Sequence, residues 1–487
     1  MPLFSIIVLS TLILYFLLLM GVSRWGTRRT DATSNEAFFR AHRRAPWPLV
    51  AVGMIAGSIS GVTLISVPGW VAGIGMTYLQ MCMGYILGYM AVAFLLLPLY
   101  YRLNLTSIYA YLGQRFGLTA HRTGALFFLL SKLTGAAARL YLATLVLHTF
   151  VAAPLGIPLP LTTAVCLLLI WAYTRRSGQA GLLYTDVFQT LMLLLALVGI
   201  TAATLHALRI SPAEAWRIIT DSPMSRVFEW DAGSTQSFWR QFVSGIFIVI
   251  VMTGLDQDMM QKNLTCRDLP SAQKDMCLYG LTFLPINALL LALGILFYHL
   301  AALHGISLPA KADQLLPTLI VSGQLGMWVI VPFSIGIVAA AFSAADGALT
   351  ALTTSVCIDF FRRPDDPHLR RRVHFVIALL CYLCLLLFHA VGGGSIINTI
   401  FVLASYTYGP LLGLFFYGLY TRRQVYDRWV PLVAVFAPTL CLALDHYAPL
   451  WWNYTFGYEL LLLNGALTAF GLWLLRKPKA TALAVRR

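Results

Sequence analysis

A run of glycine, proline and hydroxyl residues interrupts one apolar stretch of this 487-residue chain. Between Ala56 and Gly69 it places three glycines, one proline and four hydroxyl residues in fourteen positions. In an apolar helix such a run predicts unwinding, which frees backbone carbonyls to bind a cation and turns helix ends toward a solute. A kink or a small-residue packing face is the alternative interpretation.

A carboxylate in a second apolar stretch is a candidate partner for that run. Asp346 lies among small residues three positions after Ser343, and acids at membrane depth usually mark an ion or proton pathway. Asp186, near the start of another stretch, could join it or could be a helix-end charge in the interface. Two carboxylates beside hydroxyls suit a hard cation and equally a proton relay. We therefore expect the coupling cation between residues 58–68 and the Ser343/Asp346 segment.

A second interrupted stretch carries polar residues near its end. Asp256 and Gln257 lie there, and with Ser58 they are candidates for recognising a sugar hydroxyl or a carboxylate. Lys132 and Arg139, seven residues apart, share one helical face. We expect Lys132 to extend to the cytoplasmic interface, and Arg139 to pair either with a solute carboxylate or with a buried acid.

The elements that must position these residues are membrane-spanning helices. The chain is 59% hydrophobic and 11% charged, against roughly a quarter charged in soluble domains. This composition predicts an all-α membrane protein of about thirteen transmembrane helices, each long enough to cross a bilayer. The predicted windows are 3–21, 47–72, 76–100, 124–153, 158–174, 182–207, 238–257, 277–302, 326–350, 373–390, 395–419, 429–446 and 457–475.

These windows divide the chain into three parts. Residues 1–22 form an N-terminal anchor helix, 45–420 a ten-helix core, and 428–487 two further helices with a short cytoplasmic tail. Within the core, two sets of five helices run in opposite orientation, at about 47–207 and 238–419, and each set opens with an interrupted helix. That pattern is typical of an inverted-repeat secondary transporter with broken first and sixth core helices.

The distribution of positive charge predicts topology rather than nucleic-acid binding. The net charge is +15, and 27 of the 34 Lys and Arg residues, Lys262 among them, fall in segments expected on one side. By the positive-inside rule the N-terminus is outside and the C-terminus cytoplasmic. We expect a multi-pass protein of the plasma membrane, in bacteria the inner membrane, with the lipid bilayer as its surroundings.

Signals for enzyme chemistry are absent from the sequence. The eight cysteines lack metal-ligand spacing, and Cys381 and Cys384 form a CxxC pair only within an apolar helix. No nucleotide-binding loop or hydrolase motif occurs. We therefore predict a transporter and not an enzyme, with a small solute and a cation as partners, no organic cofactor, and no evident protein partner.

Five segments in order resemble the sodium:solute symporter family, namely 60–69, 98–117, 184–189, 256–261 and 342–359. The resemblance covers roughly residues 35–425 and implies the LeuT-type fold and sodium-coupled uptake. It assigns the main sodium site to carbonyls of Ala56, Ile59 and Ala340 and to the hydroxyl of Ser343. The family's second hydroxyl ligand corresponds to Ala344, so one oxygen is missing.

The same resemblance suggests a second cation site and a solute site. Asp186 matches an acid that binds a second sodium in some relatives, and Asp346 and Gly347 stand where serines can bind it. The sialic acid and sugar symporter-like bacterial members are nearest in pattern, which implies that Ser60, Thr63 and Tyr78 face the solute. The carboxylate-binding arginine of that type corresponds to Gly135, one turn before Arg139.

The sequence as a whole predicts a cation-coupled symporter, with sodium as the expected ion, that imports a small polar solute by alternating access. The solute is expected to be anionic, with a carboxylate as in sialic acid, or a sugar. A proton-coupled symporter and a transporter-like solute sensor are the alternatives.

Overall fold

The computed structural model describes residues 2–28, 34–59, 61–309, 311–391 and 396–478. These ranges contain twenty α-helices and no β-strand. Helix is the expected solution for so apolar a chain, because a bilayer offers no water to satisfy exposed backbone groups.

The helices of the first half of the chain are, in order, α1 (Pro2–Gly26), α2 (Asn35–Arg40), α3 (Trp47–Ser58), α4 (Gly61–Ile74), α5 (Tyr78–Ala91), α6 (Leu97–Arg102), α7 (Ala110–Arg115), α8 (Leu118–Leu147), α9 (Leu159–Ser177) and α10 (Gln179–Leu208). Those of the second half are α11 (Pro212–Asp221), α12 (Phe238–Val249), α13 (Gln257–Asn263), α14 (Leu269–Leu303), α15 (Leu315–Val321), α16 (Ile330–Ser355), α17 (Pro367–Val391), α18 (Ile396–Tyr420), α19 (Val430–Trp452) and α20 (Leu460–Leu474).

Each of the thirteen predicted windows falls on one of these helices, on a broken pair, or on α5 and α6, which form one continuous span. Within the described ranges, eight helices are long and apolar enough to cross a membrane, or ten if each broken pair counts as one crossing. The all-helical membrane architecture is therefore confirmed. The count of thirteen crossings and the division into anchor, core and C-terminal pair stay predictions.

Both interrupted helices are broken where the sequence indicates. The α3 and α4 axes differ by 59°, and those of α12 and α13 by 71°. Helix α3 ends at Ser58, because the next residue, Ile59, has a non-helical ψ of 85°, and Ser60 lies outside the described residues. Pro68 lies within α4, two turns beyond the break. In the second pair, Asp256 is extended and its carboxylate caps α13 by accepting the backbone N–H groups of Asp258 and Met259.

Helix α16 is the centre of the bundle. The span from Ile330 to Phe360 contains an 18-residue apolar segment, and 94% of that segment is buried inside the protein. Helices α3, α8, α10 and α17 pack around it. The N-terminal helix α1 joins this core, since Tyr15 stacks on Phe188 of α10 and Phe16 contacts Phe342 of α16.

Several short helices outside the predicted windows connect the long ones. The clearest is α11, which begins with a capping box in which Ser211 and Glu214 bond reciprocally. The backbone and hydroxyl hydrogen bonds from Ser211 lower the pKa of the exposed Glu214 carboxyl. Such a start is readable in the sequence as Ser-Pro-Ala-Glu.

Candidate functional site

The end of α3 lies directly against Ser343 of α16. A Cβ built on Gly57 would be 3.8 Å from the Ser343 hydroxyl, so the two segments of the predicted cation site meet. Ala56, Ile59 and Ala340 are also buried there. Because the last carbonyls of a helix lack intrahelical donors, the end of α3 presents free oxygens in this region. Thr190 of α10 fixes the position of α3 by bonding the Ala56 N–H at 3.2 Å.

Asp186 and Lys262 are the charged groups of this junction. The Ser343 hydroxyl donates to Oδ1 of Asp186 at 2.8 Å, and Lys262 Nζ lies 2.8 Å from Oδ2. All three side chains are at least 97% buried. Lys262 comes from α13, so the second broken helix contributes a cation to a site formed by the first.

Asp346 lies one turn along α16 and shares a neighbour with Asp186. Tyr173 of α9 donates to Asp346 Oδ2 at 2.5 Å. The side-chain amide of Gln189 lies within 3.5 Å of an oxygen of each carboxylate. Among the described residues, Oδ1 of Asp346 and the hydroxyl of Thr350 are buried without a hydrogen-bond partner. These oxygens are available to a cation, as the prediction of a second cation or proton site requires.

Lys132 forms a second buried ionic cluster. Its Nζ lies 3.1 Å from Asp256 Oδ1 and 2.8 Å from Asp258 Oδ2, and Tyr408 donates to the other oxygen of Asp256. Lys132 is only 7% exposed, so the expectation that it reaches the interface is wrong. The two carboxylates hold its ammonium in the protein, where extension to the interface would leave them uncompensated.

Gly347 explains how Asp258 fits beside α16. A Cβ at position 347 would be 2.5 Å from Oδ1 of Asp258, which is far closer than carbon and oxygen approach. The position where a relative can carry a sodium-binding serine is thus filled here by a carboxylate from α13.

The predicted solute residues are distributed over several environments. Gln257 binds the backbone, accepting from the Ile108 N–H at 2.9 Å and donating to the Thr106 carbonyl at 2.8 Å. Arg139 is half-buried and makes no ion pair within the described residues, although its charge acts on Asp258. Gln257 and Asp256 are thus engaged by the protein itself, whereas the Arg139 guanidinium is not neutralised by a direct ion pair.

Tyr78 lines a cavity of about 300 Å³ at the far end of α4, together with Trp70, Gln236 and Tyr458. Ser58 lies elsewhere, in a hydrogen bond with the hydroxyl of Tyr279. A series of aromatic contacts links the two positions, since Tyr78 bonds Tyr85 at 3.2 Å and Tyr89 bonds Tyr279 at 3.2 Å, with Phe283 touching both Tyr85 and Tyr89. Thr63 is half-buried on α4, and Ser60 lies outside the described residues.

Sequence reasoning missed two residues of this arrangement, Lys262 and Asp258. The sequence places Lys262 among the charges expected on the cytoplasmic side, but it is 3% exposed and belongs to the site. The signal was present, because Asp258 and Lys262 are four residues apart and so share one face of α13. Around the two breaks the structure buries four carboxylates, Asp186, Asp256, Asp258 and Asp346, against two lysine ammonium groups. Such an excess of acid favours a bound cation or proton.

Known proteins resemble this chain over most of its length. A sequence model of the sodium:solute symporter family matches residues 38–425. The human sodium/iodide cotransporter is 25% identical over 426 residues, which is 84% of this chain and 64% of that protein. The rabbit sodium-dependent multivitamin transporter is 25% identical over 85% of this chain and 66% of its own. The chain therefore spans about two thirds of the length of these relatives. The sodium/sialic acid symporter NanT of Aliivibrio fischeri is 24% identical over 83% of this chain and 81% of its own.

Solved structures show the same fold. A Na+-coupled sialic acid symporter, solved with substrate in an outward-open state, superposes with a TM-score of 0.81 at 19% identity, covering 96% of this chain and 97% of that one. The nucleobase-cation-symport-1 transporter MHP1 follows with a TM-score of 0.58 at 16% identity, covering 91% and 93%. The LeuT-type fold expected from the sequence is therefore confirmed.

Proposed function

The chain belongs to the sodium:solute symporter family, whose members are secondary transporters and not enzymes, and we propose that it imports a small polar organic solute with sodium. The observation that carries this proposal is the junction of α3, α10 and α16, where the end of α3 lies against the Ser343 hydroxyl, which donates to the buried carboxylate of Asp186. Backbone carbonyls, a hydroxyl and a carboxylate are oxygen ligands of the kind that a hard cation prefers.

In the proposed main site, carbonyls of Ala56, Ile59 and Ala340 and the hydroxyl of Ser343 bind sodium. Ala344 supplies no side-chain oxygen, but Asp186 lies 2.8 Å from the Ser343 hydroxyl and is close enough to compensate. Loss of a neutral ligand is thus offset by a charged one.

Asp346 is the proposed centre of a second cation site. Its buried free oxygen and that of Thr350 support this proposal. Gln189 lies between Asp346 and Asp186 and can donate to one of the two carboxylates at a time. A proton held between the two carboxylates is the competing proposal, since like charges this close favour sharing a proton.

For the solute we propose an anionic compound with a carboxylate, and a sugar as the alternative. Arg139, which lacks a direct ion pair within the described ranges, supports an anion because a guanidinium binds a carboxylate through two hydrogen bonds. The cavity beside Tyr78 and the hydroxyl groups of Ser58 and Thr63 suit hydroxyl-bearing solutes equally.

We also propose the orientation that positive charge predicts, with the N-terminus outside and the C-terminus in the cytoplasm of a bacterial cell. Lys262 is buried in the core and no longer counts as a cytoplasmic charge. Without it, 26 of the 34 Lys and Arg residues remain on the cytoplasmic side, so the excess of positive charge there persists.

Proteoliposomes test the function directly. We would load vesicles without sodium and measure uptake of labelled sialic acid, glucose, lactate and proline, chosen after a thermal-shift screen of the purified protein. We expect accumulation of one solute class when sodium is added outside. Uptake that follows a pH gradient with sodium absent would show proton coupling instead, and solute binding with no uptake under either gradient would indicate a sensor.

A further inference from the structure

The ammonium group of Lys262 lies inside the junction that forms the main cation site. A Cβ built on Gly57 would be 3.2 Å from Lys262 Nζ and 3.8 Å from the Ser343 hydroxyl, so the ammonium lies against the end of α3, near the point where α3 meets Ser343. Its ion pair with Asp186 is 2.8 Å long. We propose that Lys262 is a tethered cation that occupies the main site and must withdraw before sodium binds there.

Charge and position both support this assignment. The Lys262 ammonium carries the same charge as sodium and contacts the carboxylate that would compensate for Ala344. An ammonium and a sodium ion beside the same carboxylate would repel each other and compete for the same space. Lys262 and sodium are therefore mutually exclusive occupants of the site.

The missing hydroxyl at position 344 fits a resident ammonium better than a sodium ion. Sodium depends on several oxygen ligands around it, and alanine removes one. An ammonium needs no coordination shell of oxygens, and the ion pair with Asp186 at 2.8 Å already compensates its charge. The Ala344 methyl group, 3% exposed, then packs without leaving an unfilled coordination position.

A second resting place for the ammonium adjoins the site. A cavity of about 10 Å³, large enough for roughly one water molecule, is lined by Asp186, Lys262, Gly53 and Gln179. Within the described part of the chain, neither the oxygen nor the nitrogen of the Gln179 side chain has a hydrogen-bond partner, although both are buried. A buried amide without partners is costly, so it provides an acceptor for a displaced ammonium.

The consequence for transport rests on the proposed sodium coupling. Without sodium, Lys262 neutralises Asp186 and holds α13 against α3 and α10. When sodium enters, the ammonium moves toward Gln179, and the ion pair that joins α13 to Asp186 of α10 is weakened. Cation binding would thus be linked to movement of α13.

The test is binding of radioactive sodium to the purified protein in detergent with no solute present. If the Lys262 ammonium blocks the site in about nine of ten wild-type molecules, the wild type binds sodium about tenfold more weakly than an unblocked site would. We therefore expect Lys262→Met to lower the half-saturating sodium concentration about tenfold. Lys274→Met is the matched control, since Lys274 is exposed on α14, and it should bind as the wild type does. An unchanged or raised half-saturating concentration in Lys262→Met would overturn the proposal.

Two further variants keep the test decisive. If Lys262→Met does not fold, Lys262→Gln carries the same expectation, because it also removes the charge. Gln179→Leu removes the acceptor for the displaced ammonium while the side chain keeps a similar size, so displacement becomes harder and the half-saturating sodium concentration should rise. A value equal to that of the wild type would refute the proposed resting place.

The result is separable from the proposed function. If the wild type binds no sodium but Lys262→Met does, the tethered cation is supported while sodium coupling of the natural protein fails. If the wild type shows sodium-dependent uptake and Lys262→Met leaves sodium binding unchanged, sodium coupling stands and the tethered cation fails.

Discussion

Replacing Gly347 by alanine should break the contact between α13 and α16 at one defined atom. The new Cβ would lie 2.5 Å from Asp258 Oδ1 and 3.1 Å from its Cγ. The carboxylate would have to retreat by about 0.8 Å to reach an ordinary carbon–oxygen contact of about 3.3 Å. That movement disturbs the 2.8 Å ion pair between Asp258 and Lys132. Overpacking of this kind costs about 1–3 kcal/mol, a fall in Tm of a few degrees for a large chain.

Thermal unfolding of the purified protein measures this cost. Gly21→Ala is the control, since no atom lies within 4 Å of a Cβ there, and it should leave Tm unchanged or slightly raised. In an Asp258→Ala background the clash disappears, so Gly347→Ala should cost less than about 0.5 kcal/mol. Equal stability of Gly347→Ala and Gly21→Ala, or the same cost in both backgrounds, would refute the reasoning.

Three other substitutions have distinct expected outcomes. Lys132→Met should destabilise the protein by about 3–5 kcal/mol in thermal or denaturant unfolding, because it strands buried carboxylates, whereas the exposed Lys274→Met should not. Tyr173→Phe removes the hydroxyl that donates to Asp346 and should lower the free energy of unfolding by about 1.5–3 kcal/mol in the same measurement. A loss below about 0.5 kcal/mol, as for a surface substitution, would show that this hydrogen bond does not stabilise the protein. Gln257→Ala should lower Tm yet leave the half-saturating solute concentration for uptake unchanged, and a changed value would return Gln257 to the solute site.

The breaks in the helices were predictable because they are local properties of the sequence. Glycine weakens a helix, and the run before Gly61 and the Thr-Gly-Leu-Asp segment before Gln257 both combine it with polar residues that favour non-helical backbone. Proline alone does not end a helix here, since Pro285 lies within α14. Windows of apolar residues located the long helices for the same reason, since length and hydropathy depend on neighbouring residues alone.

The ionic pairings were not predictable, because they join residues far apart in the chain. Lys262 follows a broken helix and resembles a loop charge by sequence, whereas its carboxylate partner is Asp186 on α10. Lys132 similarly lies 124 residues from Asp256. Only the packing of α13 between α3, α10 and α16 decides which acid each lysine meets. The family pattern identified Gly347 as a departure, but the reason for it, the carboxylate of Asp258, required the structure.

Sodium titration of Ser343→Ala tests the central claim that the α3–α16 junction is the cation site. Ser334 is the matched control, because it lies on the same helix, is 2% exposed, and its hydroxyl has no hydrogen-bond partner among the described residues. We predict that Ser343→Ala raises the half-saturating sodium concentration for binding about tenfold, equivalent to about 1.4 kcal/mol, while Ser334→Ala leaves it unchanged. Equal half-saturating concentrations in Ser343→Ala and the wild type would contradict the account.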